Sequence, residues 1–88
     1  MALNDFLAEL ENLAAAAQAS FQAASDADSL ETARVEFLGA KSGRLRSVQK
    51  QLGGVDKPNK PAAGKQFNVT KQTVESAFKV AEQRIASH

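Results

Sequence analysis

The sequence predicts an all-α fold: an antiparallel two-helix coiled-coil hairpin with an additional N-terminal helix. Apolar residues recur at helical spacing in three long stretches. Segments rich in Ser, Asp, Gly and Pro interrupt them at 25–29 and at 53–61. In the second and third stretches the apolar residues also recur at seven-residue intervals, as in helices that pack along one another. The 88 residues therefore read as a single helical domain, 1–88, with helices at about 3–24, 29–52 and 61–86 and a turn at 53–61.

In the first helix Leu3, Phe6, Leu7, Leu10, Leu13, Ala14 and Ala17 follow the i, i+3, i+4, i+7 spacing of one face, which Phe21 and Ala24 extend. The run Ala14 to Ala17 permits close approach to a partner but offers little apolar area. The expectation is that this helix is the least securely docked.

The second helix is expected to start where Asp28 and Glu31 have the spacing of a capping box, with Asp in place of Ser or Thr. Its apolar positions are Leu30, Phe37, Leu38, Leu45, Val48 and Leu52, with seven-residue pairs at 30/37, 38/45 and 45/52. Gly53 and Gly54 stop it, because Gly past a helix end takes the left-handed conformation at little cost. Gly39 and Gly43 would each cost about 1 kcal/mol in a helix interior relative to Ala. A kink or a close helix approach is the expected benefit, with approach of a nucleic-acid backbone to the bare main chain as the alternative.

Asn59 and Pro61 mark the start of the third helix. There Phe67, Lys71, Val74, Phe78, Ala81 and Ile85 alternate steps of four and three, and the one polar member, Lys71, is expected to set register in the seam. Helices of this length span about 35 Å at 1.5 Å per residue, and their short connection makes them antiparallel. The heptad runs to the chain end, so a piece of a longer protein is expected.

The composition excludes several classes. Without Cys there is no disulfide framework, thiolate metal site or Cys nucleophile, and a chain this short has little room for a large enclosed active site. The lone His88 lacks the companions of a zinc site. No apolar run approaches the ~20 residues of a membrane span and no secretory signal opens the chain. A soluble cytoplasmic protein is expected, with no catalytic, metal or cofactor residues in this segment.

The formal net charge of +1 conceals a polar split. All eleven basic residues lie between Arg34 and Arg84, whereas the first 31 residues hold six carboxylates and no Lys or Arg. From 41 to 71 there are eight cations, Lys41, Arg44, Arg46, Lys50, Lys57, Lys60, Lys65 and Lys71, against Asp56 alone. Such a stretch is either a solvated helical face or the footprint of a polyanion, most often nucleic acid. Its segregation and near absence of acids, together with the resemblance given below, favour the second reading, with all eight as nucleic-acid-binding residues and Arg44 and Arg46 foremost. On a hairpin they would gather at the distal half and tip, with the acidic first helix elsewhere, against the base. The five Phe residues sit at core positions and there is no Tyr or Trp, so contacts to the sugar-phosphate backbone are expected rather than base stacking.

The run Arg34-Val35-Glu36-Phe37-Leu38-Gly39, followed by Lys41, Gly43 and Leu45, resembles the R-V-E-[YF]-L-G-K-K-G-x-L signature near the start of the phenylalanyl-tRNA synthetase alpha subunit. Pro61-Ala62-Ala63-Gly64, and Gly64, Asn68 and Lys71 as G-x-x-x-N-x-x-K, continue the likeness, which covers about Asp28 to Ile85. The resemblance implies an N-terminal helical arm that braces the body of phenylalanine tRNA. It further implies a bacterial class II enzyme of two alpha and two beta subunits, whose ATP, magnesium and phenylalanine sites lie in the catalytic domain beyond this segment. None of those catalytic motifs is present. The chain departs from the signature by one residue: Ala40-Lys41-Ser42 separate the two glycines where the family has two residues, which would turn a continuous helix by about 100°. The rival expectation is a protein-interaction or self-associating coiled coil that binds no nucleic acid.

Overall fold

A computed structural model of the chain describes residues 2–39 and 43–87. Four α-helices, α1 (Leu3–Ala23), α2 (Ala27–Leu38), α3 (Arg44–Gln51) and α4 (Lys60–Ala86), alternate with turns that include short 3-10 helices at Leu52–Gly54 and Lys57–Asn59. No strand occurs among the described residues, so the all-α expectation holds.

The C-terminal ends of α1 and α4 meet, where Arg84 reaches the carbonyls of Phe21, Gln22 and Ala24, and the two helices run side by side in one direction. α2 returns antiparallel to both. Ala27 and Leu30 at its start lie beside Phe78 and Ile85, and Phe37 and Leu38 at its end lie beside Phe67. α3 carries that course on against the first half of α1, and the 3-10 turns lead into α4. The molecule is an up-down-up bundle measuring 48 × 20 × 15 Å, its middle rod made of α2 and α3.

Every α-helix contributes to one core. Phe6, Leu10, Leu13, Ala17 and Phe21 come from α1, Leu30, Ala33 and Phe37 from α2, Leu45 and Val48 from α3, and Ala63, Phe67, Val74 and Ala81 from α4. Phe21 is the hub. Its ring meets Phe37 edge-on at 5.9 Å and Phe78 edge-on at 5.7 Å, the geometry that aromatic quadrupoles favour. Three helices are tied at that point. No polar or charged side chain is buried among the described residues.

Five local expectations are corrected. The first helix is not the weakly docked one: α1 is the main partner of α4, because fully buried Ala17 lets the backbones approach while Phe6 and Phe21 supply area on either side. The second helix is capped two residues earlier than expected, at Asp26 rather than Asp28. Asp26 Oδ1 accepts from the Ser29 backbone N–H at 2.8 Å and the Ser29 hydroxyl accepts from Asp26 N–H at 3.3 Å, leaving Glu31 to pair with Arg34. The single helix expected at 29–52 is two, α2 and α3, because Gly39 (ψ 139°) and Gly43 (ψ 148°) are both extended.

At Gly53 and Gly54 no left-handed residue is used; the backbone tightens into a 3-10 turn in which Val55 N–H donates to Leu52 C=O at 3.2 Å and the Val55 side chain is buried. Finally, Lys71 is exposed rather than in the seam. α4 faces α1 as well as α2, so a broad stripe through Phe67, Thr70, Val74, Ala77 and Ala81 turns inward, and Lys71 falls on its flank.

Candidate nucleic-acid interface

The basic end of the bundle is built on the break between α2 and α3. Gly43 N–H donates to Gly39 C=O at 3.2 Å, which holds the two glycine backbones together. A Cβ on Gly39 would lie 2.4 Å from the Val35 carbonyl oxygen, and one on Gly43 would lie 2.6 Å from Gly39 N and 2.7 Å from Gly39 O. Only glycine fits at either place. Because neither glycine is helical, the extra residue between them does not rotate α3 relative to α2 in the way a continuous helix would require. Lys41, between the glycines, lies outside the described residues.

α3 then buries Leu45 and Val48, and this fixes where its cations point. Arg44 and Arg46, about 200° apart on the helix, emerge on opposite flanks. The Arg44 guanidinium lies over the Phe37 ring, 5.2 Å from its centroid, so part of its role is to fasten α3 to α2. Arg46 instead lines a groove between α3 and α4 together with Lys71. In α4, burial of Ala63 and Phe67 leaves Lys60, Lys65 and Lys71 outside, with Lys60 and Lys71 three turns apart on one face. Lys50 and Lys57 are exposed near the turn.

Seven of the eight expected cations are thus described, and all seven are exposed in one half of the bundle. Among the described residues the one ion pair is Arg34 with Glu31, so none of the seven has a carboxylate within ion-pair distance. The Glu31 hydrogen bond keeps Arg34 charged to higher pH than usual, and Arg34 in turn holds the Glu31 carboxyl below its usual range. Arg34 is therefore spent locally. The acidic helix is not segregated at a base, as expected, because α1 runs the length of the bundle and brings Asp5, Glu9 and Glu11 to the basic end. Those carboxylates temper the positive field without pairing with it.

The groove that Arg46 and Lys71 share has a volume of about 350 Å³ and is floored by Leu38, Leu45 and Phe67. Glu75 and Gln49 complete it. Sequence reading passed over both, since neither belongs to a charge run and their convergence depends on how α3 lies against α4. A larger groove of about 710 Å³ runs between α1 and α4 past Gln18, Gln22, Thr73, Val69 and Val80. Its one charged lining residue, Arg84, is engaged with the end of α1.

Residues 25–88 match the family described as aminoacyl tRNA synthetase class II, N-terminal domain. The chain is 48% identical over 86 residues, 98% of its length, to the phenylalanine–tRNA ligase alpha subunit of Rhodopirellula baltica. It is 40% identical over 78 residues, 89% of its length, to that of Burkholderia pseudomallei, and 41% identical over 70 residues, 80% of its length, to that of Alteromonas mediterranea. The chain spans 25%, 23% and 21% of those three relatives. No solved structure matches it.

Proposed function

Since the chain belongs to the class II aminoacyl-tRNA synthetase N-terminal domain family, we propose that it is the tRNA-binding arm of a phenylalanine–tRNA ligase alpha subunit. The observation that carries this reading is the set of seven exposed cations in one half of the bundle, none paired with a carboxylate among the described residues. Desolvating a cation that has no internal partner is repaid by a phosphate, and release of counterions from the RNA adds a favourable, salt-sensitive term. Lys50, Lys57, Lys60 and Lys65 act as point charges along the sugar-phosphate backbone, and Arg46 can grip a phosphate with a bidentate fork.

The arm is not catalytic. It raises the affinity of the whole enzyme for phenylalanine tRNA, while ATP, magnesium and phenylalanine are handled by the catalytic domain of the alpha subunit in an assembly with the beta subunit. Its partners are accordingly the tRNA, the rest of the alpha subunit and the beta subunit in an alpha2-beta2 tetramer.

The test is binding of the 88-residue chain to phenylalanine tRNA and to an unrelated tRNA across a salt series, beside sedimentation of the chain alone. Binding to both, with log affinity falling by about 0.7 to 0.9 per phosphate contacted for each decade of salt, is the expected result. Absence of binding at low salt together with a stable dimer would favour the rival reading, a protein-interaction module. That rival draws its support from the groove between α1 and α4, whose one charged lining residue is Arg84 and where Val69 is 48% and Val80 67% exposed.

A further inference from the structure

We propose that the groove between α3 and α4 receives one unpaired nucleotide of the bound RNA: the phosphate sits on Arg46 and Lys71, the base lies against Leu38, Leu45 and Phe67, and Glu75 accepts from an amino group on the base edge. The inference rests on the RNA-binding reading and adds to it a site that distinguishes among bases.

Three features support it. At about 350 Å³ the groove is at the small end of ligand clefts, roughly 300 to 1,000 Å³; it has room for a nucleobase. Its rim carries two cations from different helices while its floor is apolar, the division that a nucleotide requires and a bare phosphate does not. Glu75 lines the same groove, exposed and with no ion pair among the described residues. A carboxylate beside two cations weakens a surface meant for phosphate alone. It strengthens one that must also receive N–H donors, because an ionised carboxylate only accepts.

Cytosine N4 is such a donor, whereas the O4 of uracil would face the carboxylate with a second acceptor. Sequence-specific recognition of RNA acts on unpaired bases, whose edges are free. The apolar lining comes from Leu38, Leu45 and two nearly buried rings, Phe37 and Phe67, so no exposed aromatic platform is needed. Both walls are helices anchored in the core, which fixes the spacing between rim and floor.

The probes are three stem-loop RNAs with equal phosphate counts, carrying a single bulged cytidine, a bulged uridine or an abasic nucleotide at the same place. The 88-residue chain should bind the cytidine form about tenfold more tightly than the uridine form, and the abasic form more weakly than either. Glu75→Gln, at an exposed position, should remove the cytidine preference and leave the abasic form bound as well or better. Retention of the preference in that variant would overturn the role of Glu75. Equal binding of all three RNAs with a steep salt dependence would overturn the nucleotide site and leave the phosphate-binding arm standing. Failure to bind any of them at low salt would overturn both.

Discussion

Arg84, near the end of α4, donates from Nη2 to the Ala24 carbonyl at 2.8 Å, across 60 residues of sequence. The same guanidinium reaches the carbonyls of Phe21 at 3.0 Å and Gln22 at 3.1 Å. These acceptors lie at the C-terminus of α1, where a helix leaves its last carbonyls without internal partners and carries partial negative charge. The last turn of α1 has no basic residue of its own, so the neutralising cation comes from α4. The planar fork serves three carbonyls at once, and it latches α1 beside α4.

Removing the latch should therefore loosen α1 in particular. Arg84→Ala is expected to lower the unfolding free energy by about 1 to 2 kcal/mol, with Arg84→Lys intermediate because it keeps the charge and loses the fork. Urea unfolding gives the total, and amide exchange at the end of α1 locates the change. Wild-type stability and protection in the alanine variant would rule the latch out.

Alanine should act oppositely at different glycines. At Gly39 or Gly43 the added Cβ collides with backbone atoms that no side-chain rotation can clear, so a loss of about 1 to 3 kcal/mol is expected. Gly64 lies inside α4 with nothing within 4 Å of a new Cβ, so Gly64→Ala should gain about 0.5 to 1 kcal/mol. Thermal unfolding of the three variants side by side decides it. Equal effects at all three sites would contradict the close approach at the α2–α3 break.

Stability should decline in acid through two surface carboxylates. Hydrogen bonds from the Ser29 backbone and side chain lower the Asp26 pKa, and the Arg34 hydrogen bond lowers that of Glu31. A carboxyl with a depressed folded-state pKa binds its proton more readily when unfolded. Its contribution is thus fully present above the unfolded value of about 4 and is lost as pH falls through the folded one. Unfolding measured at pH 7, 5 and 3 should show a shallower acid loss in the double variant Asp26→Asn, Glu31→Gln. An unchanged slope would mean that other groups carry the acid sensitivity.

The two arginines of α3 should separate by their effects. Arg46→Ala is expected to weaken binding of every tRNA and to reduce the salt slope by about one, the loss of a single phosphate contact. Arg44→Ala removes a cation from the Phe37 ring and should also lower stability, by about 0.5 to 1 kcal/mol. Salt titration paired with unfolding distinguishes them. Identical behaviour of the two variants would sink the assignment of different roles.

The sequence by itself determined the helical class, both ends of α1 and of α4 to within a residue, and the exposure of the basic run from Arg44 to Lys65. Those properties follow from local periodicity and charge, since a helix that buries Leu45 and Val48 must turn its Arg and Lys side chains outward. The tertiary structure alone decided the rest. A heptad pattern does not say how many neighbours a helix has. Once α1 proved to be the main partner of α4, the buried stripe widened and Lys71 left the seam for the groove edge. A capping box can be written from more than one acidic residue in Ser25 to Ser29, and the Ser29 hydroxyl settled it in favour of Asp26. The convergence of Arg46, Lys71 and Glu75, and the grip of Arg84 on α1, join residues far apart in the chain, and such contacts exist only after helix packing has set the distances between them.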